Sequence, residues 1–472
     1  MKLILASAGV EGGDLTLKTL DEIKSADEII IQTALTPAGK YIVDNFPSAV
    51  SLDGIYKKSR TYDTLNKNIA AEVLKAAKTK NVIFLTDGGV SENRACGIIL
   101  KKRKDAIVLS GVTKAAYFAE KAAFTGNYLA ISAYEVGSAK LTLPLIVYDV
   151  DCAITAGEVK LAVSSAFGDD IPVTLFTGGE NKQIPLYELD RQTDLGFLSA
   201  IAIGELSLAQ KTRYDVDDLL EILRILRGEN GCPWDKAQTK ESILPSTVEE
   251  TYELLDAVKS GDESAIMEEL GDVVLQTAFQ AIFAEERGTF TFSDAISALC
   301  EKLITRHTHV FGNDRASDSE SALSVWDKNK RKEKGYENGT EYLCAVPKNF
   351  PALMRADKVS KRSGKYNMDF LSADDALEKV YEELSEVKAE LGGDKNKLGE
   401  ECGDFLFAAA SYVRKLGFDS ETALSAATEK FLKRFKKTEE LVLNAGKDMR
   451  DLTAEELNEY YDESKKYYNR RV

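Results

Sequence analysis

The sequence predicts an α/β N-terminal domain of two subdomains followed by two all-α helical domains, and three observations carry that division. Up to about residue 206, short apolar runs alternate with helical segments, the pattern of βα units around a mostly parallel sheet. Past a charged stretch at 207–218 the strand signals stop and continuous amphipathic helix takes over. Within that helical region the same acidic skeleton occurs twice, EETYE then EELGD, and later EELSE then EECGD. The length of 472 residues suits roughly three domains, and 44% hydrophobic content lets each bury a core.

Taken in order, residues 2–7, 28–33, 82–87, 106–111 and 129–133 read as strands of the first sheet, with helices over 15–25 and 113–124. A second set, at 145–150, 172–177, 184–189 and 200–204, surrounds a helix near 158–167. Two glycine-rich strand-to-helix loops stand out, Gly9-Val10-Glu11-Gly12-Gly13-Asp14 and Asp87-Gly88-Gly89-Val90-Ser91. Such loops let backbone approach a ligand closely, although glycines also serve plain turns. In the helical half the first helix spans 217–227, and GENGCPW at 228–234 is a loop by its Gly, Asn and Pro content. Trp234 is expected there as a packing anchor or part of a pocket wall. Residues 328–339 read as a charged connector, and the second repeat starts near Pro347.

The acidic skeleton is the chemical signal. Glu250 with Glu253, and Glu269 with Asp272, are i,i+3 pairs, each on one helix face. Two antiparallel helices can therefore aim four carboxylates at one spot, where they repel one another unless a hard cation sits between them. All-oxygen donors of this kind suit Mg²⁺ or Mn²⁺, and the natural substrate carries phosphates. A single EExxE is ordinarily a solvated helix face. A solvated face has no reason to repeat both clusters in the same order and at nearly the same separation, so the repetition indicates duplicated functional domains.

Composition bounds the partners. A formal net charge of −16 argues against nucleic acid or an anionic membrane surface as the main partner. The cysteines, Cys96, Cys152, Cys232, Cys300, Cys344 and Cys402, lack CxxC spacing and read as reduced cytosolic thiols, so a cytoplasmic protein is expected. The opening MKLILASAGVEGGD reads as a first strand rather than a signal peptide, and no apolar run approaches a membrane span. Phosphates need cations that the acidic clusters do not offer. Lys302 with Arg306, and Lys430 with Arg434, hold i,i+4 spacing in the two repeats. Trp326 with Lys330, and Tyr461 with Lys465, repeat an aromatic followed four residues later by lysine, so a base can stack on the ring while the lysine reaches phosphate. Surface pairing with glutamate and plain helix packing are the alternatives for these pairs. His307 and His309 flank Thr308 at a spacing that does not share a helix face, which disfavours a histidine metal site.

These strings also carry a resemblance. ENGCPWDKAQT (229–239), TVEETYELLDAV, EELGD and RHTHVF (306–311), then PALMRADKVSKR (351–362), YEELSEV, EECGD and EKFLKRF (429–435), resemble the two-domain MazG nucleoside triphosphate pyrophosphohydrolases over about 214–465. The resemblance implies hydrolysis of nucleotides to monophosphate and pyrophosphate with Mg²⁺ held by EExxE and ExxD. It assigns the metal ligands to Glu250, Glu253, Glu269 and Asp272 in the first domain and to Glu383, Glu386, Glu401 and Asp404 in the second. Glu249 and Glu382 would orient or activate water, the subunits would pair as a homodimer, and the second cluster is the first choice for the active one. The implied domains span 1–206, 214–336 and 345–468.

The N-terminal half resembles the tetrapyrrole methylases, which bind S-adenosylmethionine between two α/β subdomains. The family's G-x-G-P-G-D loop has become Gly9-Val10-Glu11-Gly12-Gly13-Asp14, both prolines are missing near Gly88 and Gly89, and the Gly-(Ile/Val)-Ser-Ser segment reads Gly111-Val112-Thr113-Lys114. A catalytically silent domain is the expectation; an active methyltransferase that uses its helical half only to dimerise is the rival.

Overall fold

The computed structural model describes residues 1–178 and 181–469. It divides into two compact units, Met1–Ala295 and Ile296–Val472.

The first unit opens with a sheet of β1 (Leu3–Ser7), β2 (Glu28–Ile31), β3 (Val50–Ser51), β4 (Val82–Thr86) and β5 (Ile107–Leu109), in the order β3-β2-β4-β1-β5. Every pairing is parallel. β1 and β4 are buried at every position, as a parallel sheet covered by helices on both faces requires. Alternation sorts their side chains: Leu3, Leu5 and Phe84 pack with Ile69 and Val73 on one side, Ile4, Ile83 and Leu85 with Ile23 and Ile42 on the other.

A second sheet holds β6 (Leu129–Ser132), β7 (Leu145–Tyr148), β8 (Pro172–Phe176), β9 (Lys182–Pro185) and β10 (Ala200–Ile203), in the order β6-β7-β10-β8-β9. β6 pairs with β7 in parallel, and the remaining pairs are antiparallel. The strand expected at 129–133 therefore belongs to this sheet and not to the first. Its alternate side chains explain the choice, because Leu129 and Ile131 pack into the core of one face and Ala130 into that of the other. The strand expected at 184–189 ends at Pro185, which has no N–H for a ladder, and Leu186–Arg191 is a 3₁₀ turn. Leu186 and Leu189, one 3₁₀ turn apart, share its buried side. The helix expected at 158–167 starts earlier and spans Ala153–Phe167.

Still in the first unit, Asp215 caps the Val216–Arg227 helix by accepting from the N–H groups of Asp217 and Asp218. The helices Leu244–Ser260 and Glu263–Glu286 form a hairpin. Gly261, with φ of 73°, makes the left-handed turn that closes the first helix, and Asp262 caps the second. The latter half of Glu263–Glu286 is buried, with Phe279, Ile282 and Phe283 against Leu220 and Leu223. Arg224 and Arg227 grip Glu285 and Glu286 at 2.8 and 2.6 Å, which fixes the hairpin to the Val216–Arg227 helix.

The second unit repeats the hairpin with Ala373–Ala389 and Lys395–Lys415, capped by Ser372 and Asp394. The Ala352–Gly364 helix lies on it, with Arg414 bonded to Ser360 Oγ at 3.0 Å and Lys415 paired to Asp369 at 2.9 Å. Ser420–Asn444 and Ala454–Asn469 pack on each other through Phe431 and Tyr461. Residues 328–339, expected as a connector, are helical as far as Lys334 within Ser319–Lys334. Arg331, Lys332 and Lys334 sit in its last turn, where cations favour the helix dipole, and Gly335 at φ of 63° ends it.

Candidate functional site

In the first hairpin, Glu250, Glu253 and Glu269 bring one carboxylate oxygen each within 4.8 Å of the others, and in the second Glu383, Glu401 and Asp404 do the same. The i,i+3 spacing supplies two acids from one helix, the first helix in one hairpin and the second in the other, and the short turn brings the third from its partner helix. Asp272 and Glu386 complete the expected quartets but lie outside these tight sets. Their charges still reach them. Desolvation, then Asp272 and Glu253, hold Glu250 above the usual carboxylate range. Desolvation, then Glu383 and Glu401, do the same to Glu386. Glu269 is raised by desolvation and by Glu253, Glu268 and Asp272. Groups that resist losing their protons beside one another are groups that a hard divalent cation would stabilise.

The donor set fits Mg²⁺ or Mn²⁺: oxygen only, three acids per cluster, and open sides for water and phosphate. Glu383 adds a sharper sign. It is 5% exposed, and its Oε2 is buried with no hydrogen-bond partner among the described residues. A buried carboxylate oxygen without a partner is costly unless something occupies it. Glu249 and Glu382 stand exposed beside the clusters.

One residue at this site escaped the sequence reading. Lys379 bonds Glu382 Oε1 at 2.9 Å and Glu383 Oε1 at 2.8 Å. Its signal is its spacing, three and four residues ahead of two glutamates on one helix.

The expected substrate cations and aromatics all lie in the second unit, whereas the first carboxylate cluster lies in the first. Arg306 and Lys330 both lie over the Trp326 ring, at 5.4 and 4.6 Å from its centroid. Lys465 lies 4.8 Å from the Tyr461 centroid, so the aromatic–lysine pair forms in both repeats. Arg306 is also bonded to Glu333 by two nitrogens, at 2.7 and 2.9 Å. Lys302 lines an open depression with Thr305, Thr308 and Asn329. Lys430 is exposed and Arg434 half-buried. Trp234, expected as an anchor or pocket wall, is 65% exposed. His307 Nδ1 lies 2.6 Å from the Leu303 carbonyl, and neither histidine joins a metal cluster among the described residues.

The α/β region holds a cleft of about 280 Å³ lined by Tyr56, Tyr62, Tyr134 and Phe197, with Lys114 at its base. The Lys114 ammonium bridges Asp87 at 2.8 Å and Asp149 at 2.6 Å. Burial disfavours that charge, and Asp149 and Asp87 outweigh it to hold the lysine well above its ordinary value. The loops assigned to S-adenosylmethionine by resemblance have several of their donors taken by carboxylates of the chain itself. Val10 and Glu11 N–H groups donate to Asp14 at 3.0 and 2.8 Å, while those of Gly89, Lys114 and Ala115 donate to Glu92 at 2.7, 2.9 and 2.8 Å. A backbone-mediated site would need those same N–H groups, so these residues do not fit that cofactor.

A twice-repeated all-α hairpin with converging acids, carried behind an α/β domain, defines the class of the protein. The MazG nucleotide pyrophosphohydrolase domain matches residues 238–311. The nucleoside triphosphate pyrophosphohydrolase of Escherichia coli K12 is 41% identical over 255 residues, 53% of this chain and 97% of that protein. YabN of Bacillus subtilis, an uncharacterised protein, is 30% identical over 485 residues and 97% of each chain. Uroporphyrin-III-C-methyltransferase of Thermus thermophilus superposes at 16% identity with a TM-score of 0.34, over 43% of this chain and 94% of that one. The chain belongs to the MazG nucleotide pyrophosphohydrolase family.

Proposed function

We propose that this protein is a cytoplasmic, Mg²⁺-dependent nucleoside triphosphate pyrophosphohydrolase that releases nucleoside monophosphate and pyrophosphate, a house-cleaning enzyme of the nucleotide pool. The observation that carries the reading is the pair of carboxylate triplets, Glu250/Glu253/Glu269 and Glu383/Glu401/Asp404, each drawn from the same repeated acidic skeleton on its own helical hairpin. Asp272 and Glu386 complete each set from the next position on the same helix face. When bound there, the cation would polarise the α–β phosphoanhydride and lower the pKa of water.

The chain's own residues do the rest. Glu249 or Glu382, exposed at the cluster, takes the proton from the attacking water. Lys302 and Arg306, or Lys430 and Arg434, bind phosphate oxygens, with Arg306 exchanging Glu333 for its substrate. Trp326 with Lys330, and Tyr461 with Lys465, hold the base and the adjacent phosphate. One copy leaves Leu255, Val258 and Leu270 exposed on the first hairpin and Leu406 and Phe407 on the second, which supports pairing of two subunits. The domains we assign span 1–206, 214–336 and 345–468.

Pyrophosphate release from a panel of NTPs and dNTPs with Mg²⁺ tests the reading, using wild type, Glu269→Gln, Glu401→Gln and the double variant. Loss with one single variant assigns the chemistry to that repeat, and loss only in the double variant means two working sites. A wild type that releases no pyrophosphate from any nucleotide sinks the proposal.

A further inference from the structure

The two carboxylate clusters draw on different members of the repeated motif, Glu250, Glu253 and Glu269 in the first and Glu383, Glu401 and Asp404 in the second, and only the second has a cation built beside it among the described residues. Lys379 stands three residues before Glu382 and four before Glu383. The matching place before Glu249 and Glu250 is Ser246, which carries no charge. Lys379 binds Glu382 Oε1 and Glu383 Oε1, whereas Glu249, Glu250, Glu253, Glu269 and Asp272 form no ion pair among the described residues. Solvated Glu–Lys pairs are common on helices and contribute little. This pair differs because Glu383 is 5% exposed, with one oxygen held by the lysine and the other buried without a partner.

Resting on the metal-dependent reading above, we infer that Lys379 is a built-in counter-ion that makes the second metal site weaker than the first in the substrate-free protein. Lys379 fixes the rotamers of Glu382 and Glu383 and cancels one negative charge beside the cluster, so an arriving cation meets a smaller attractive field. The first cluster has no such cation and depends on the metal for its neutrality. The first repeat is thereby loaded at low metal concentration, while the second fills when a phosphate-bearing substrate brings its own cation. Lys379 acts as a positioning residue, holding Glu382 toward the site and setting its affinity through charge.

Titration of Mn²⁺ alone into the full-length protein, followed by the electron paramagnetic resonance of free Mn²⁺, tests this. Two classes of sites should appear, the tight one lost in Glu250→Gln and the weak one in Glu383→Gln. Lys379→Gln should tighten the weak class by about tenfold, the order expected for removing one partly screened charge, and Lys379→Arg should leave it unchanged. Ser246→Lys should weaken the tight class in turn. Thermal melts without metal separate these effects from misfolding. Classes of equal affinity, or a weak class that Lys379→Gln leaves alone or loosens, would overturn this inference and leave the metal reading standing. No Mn²⁺ binding by the wild type would overturn both.

Discussion

The cleft of the α/β region and the carboxylate clusters of the helical repeats are both concentrations of acid, and they differ in where the compensating cation comes from. In the cleft the chain supplies it, since Lys114 sits between Asp87 and Asp149 and Ser132 bonds the far side of Asp149 at 2.8 Å. In the first hairpin no cation pairs with the cluster among the described residues, and three carboxylates face one another across two helices. The second hairpin lies between these cases, with Lys379 on one edge of an otherwise open cluster. Acidic clusters therefore speak of a ligand only to the extent that the protein leaves them unbalanced. Counting acids in a pocket would rank the cleft and the clusters together, whereas counting their partners separates them.

The comparison breaks most readily at Lys114. Lys114→Met leaves Asp87 and Asp149 without their shared cation, and removal of one member of such a set costs about 3–5 kcal/mol. A chemical or thermal melt should show that loss in the transition of the α/β region. A shift under ~1 kcal/mol would mean that water already balances these acids and that the contrast with the hairpins is false. The opposite behaviour is expected of the hairpins. Replacing Glu250 and Glu386 together by Gln should lower pyrophosphate release by more than about a hundredfold while leaving the metal-free melt at or above that of the wild type, because repulsion is relieved and the Lys379–Glu383 pair is kept. Coupled loss of activity and of metal-free stability would show that these glutamates hold the fold.

A smaller effect is expected at the phosphate cations. Arg434→Lys keeps the charge and loses the planar fork, so KM for nucleotide should rise by about tenfold with little change in metal binding. Arg306→Lys should behave likewise only if its pairing with Glu333 yields to substrate. An unchanged KM for both variants would make these arginines structural.

Much of this is legible in the chain. Helices with strong period and terminal capping residues fall where expected, and the i,i+3 pairs Glu250 with Glu253, and Glu401 with Asp404, converge because that spacing is a geometric property of the helix. What periodicity does not carry is long-range choice. The apolar run at 129–132 has the same appearance whether it pairs with β5 or β7, and only the two cores it feeds decide the matter. Asp149 lies 35 residues from Lys114, in a backbone conformation with φ of 63° that no local pattern announces. Lys379, by contrast, stands in plain view three residues from a motif, yet lysine beside glutamate on a helix is usually solvent-facing and signals nothing. The burial of Glu383 turns that ordinary pair into a component of the site.

The gentlest way to sharpen the comparison is pH. Without metal, Glu250, Glu269 and Glu386 are held above their ordinary value of 4.5, by desolvation first and then by neighbouring carboxylates. The folded protein thus keeps protons that the unfolded chain has released, and stability falls as pH rises through the interval above 4.5. At neutral pH the repulsion is fully developed, and a divalent cation takes over the role of the lost protons. The rise in melting temperature on adding Mg²⁺ should therefore be largest near pH 7 and shrink as pH falls toward 4.5, and it should vanish in Glu250→Gln/Glu383→Gln. Lys114 titrates far above this range, so the transition of the α/β region should show no matching response to Mg²⁺. A Mg²⁺ effect that grows on acidification, or that acts equally on both transitions, would mean that the cation binds somewhere other than the unbalanced acids of the hairpins.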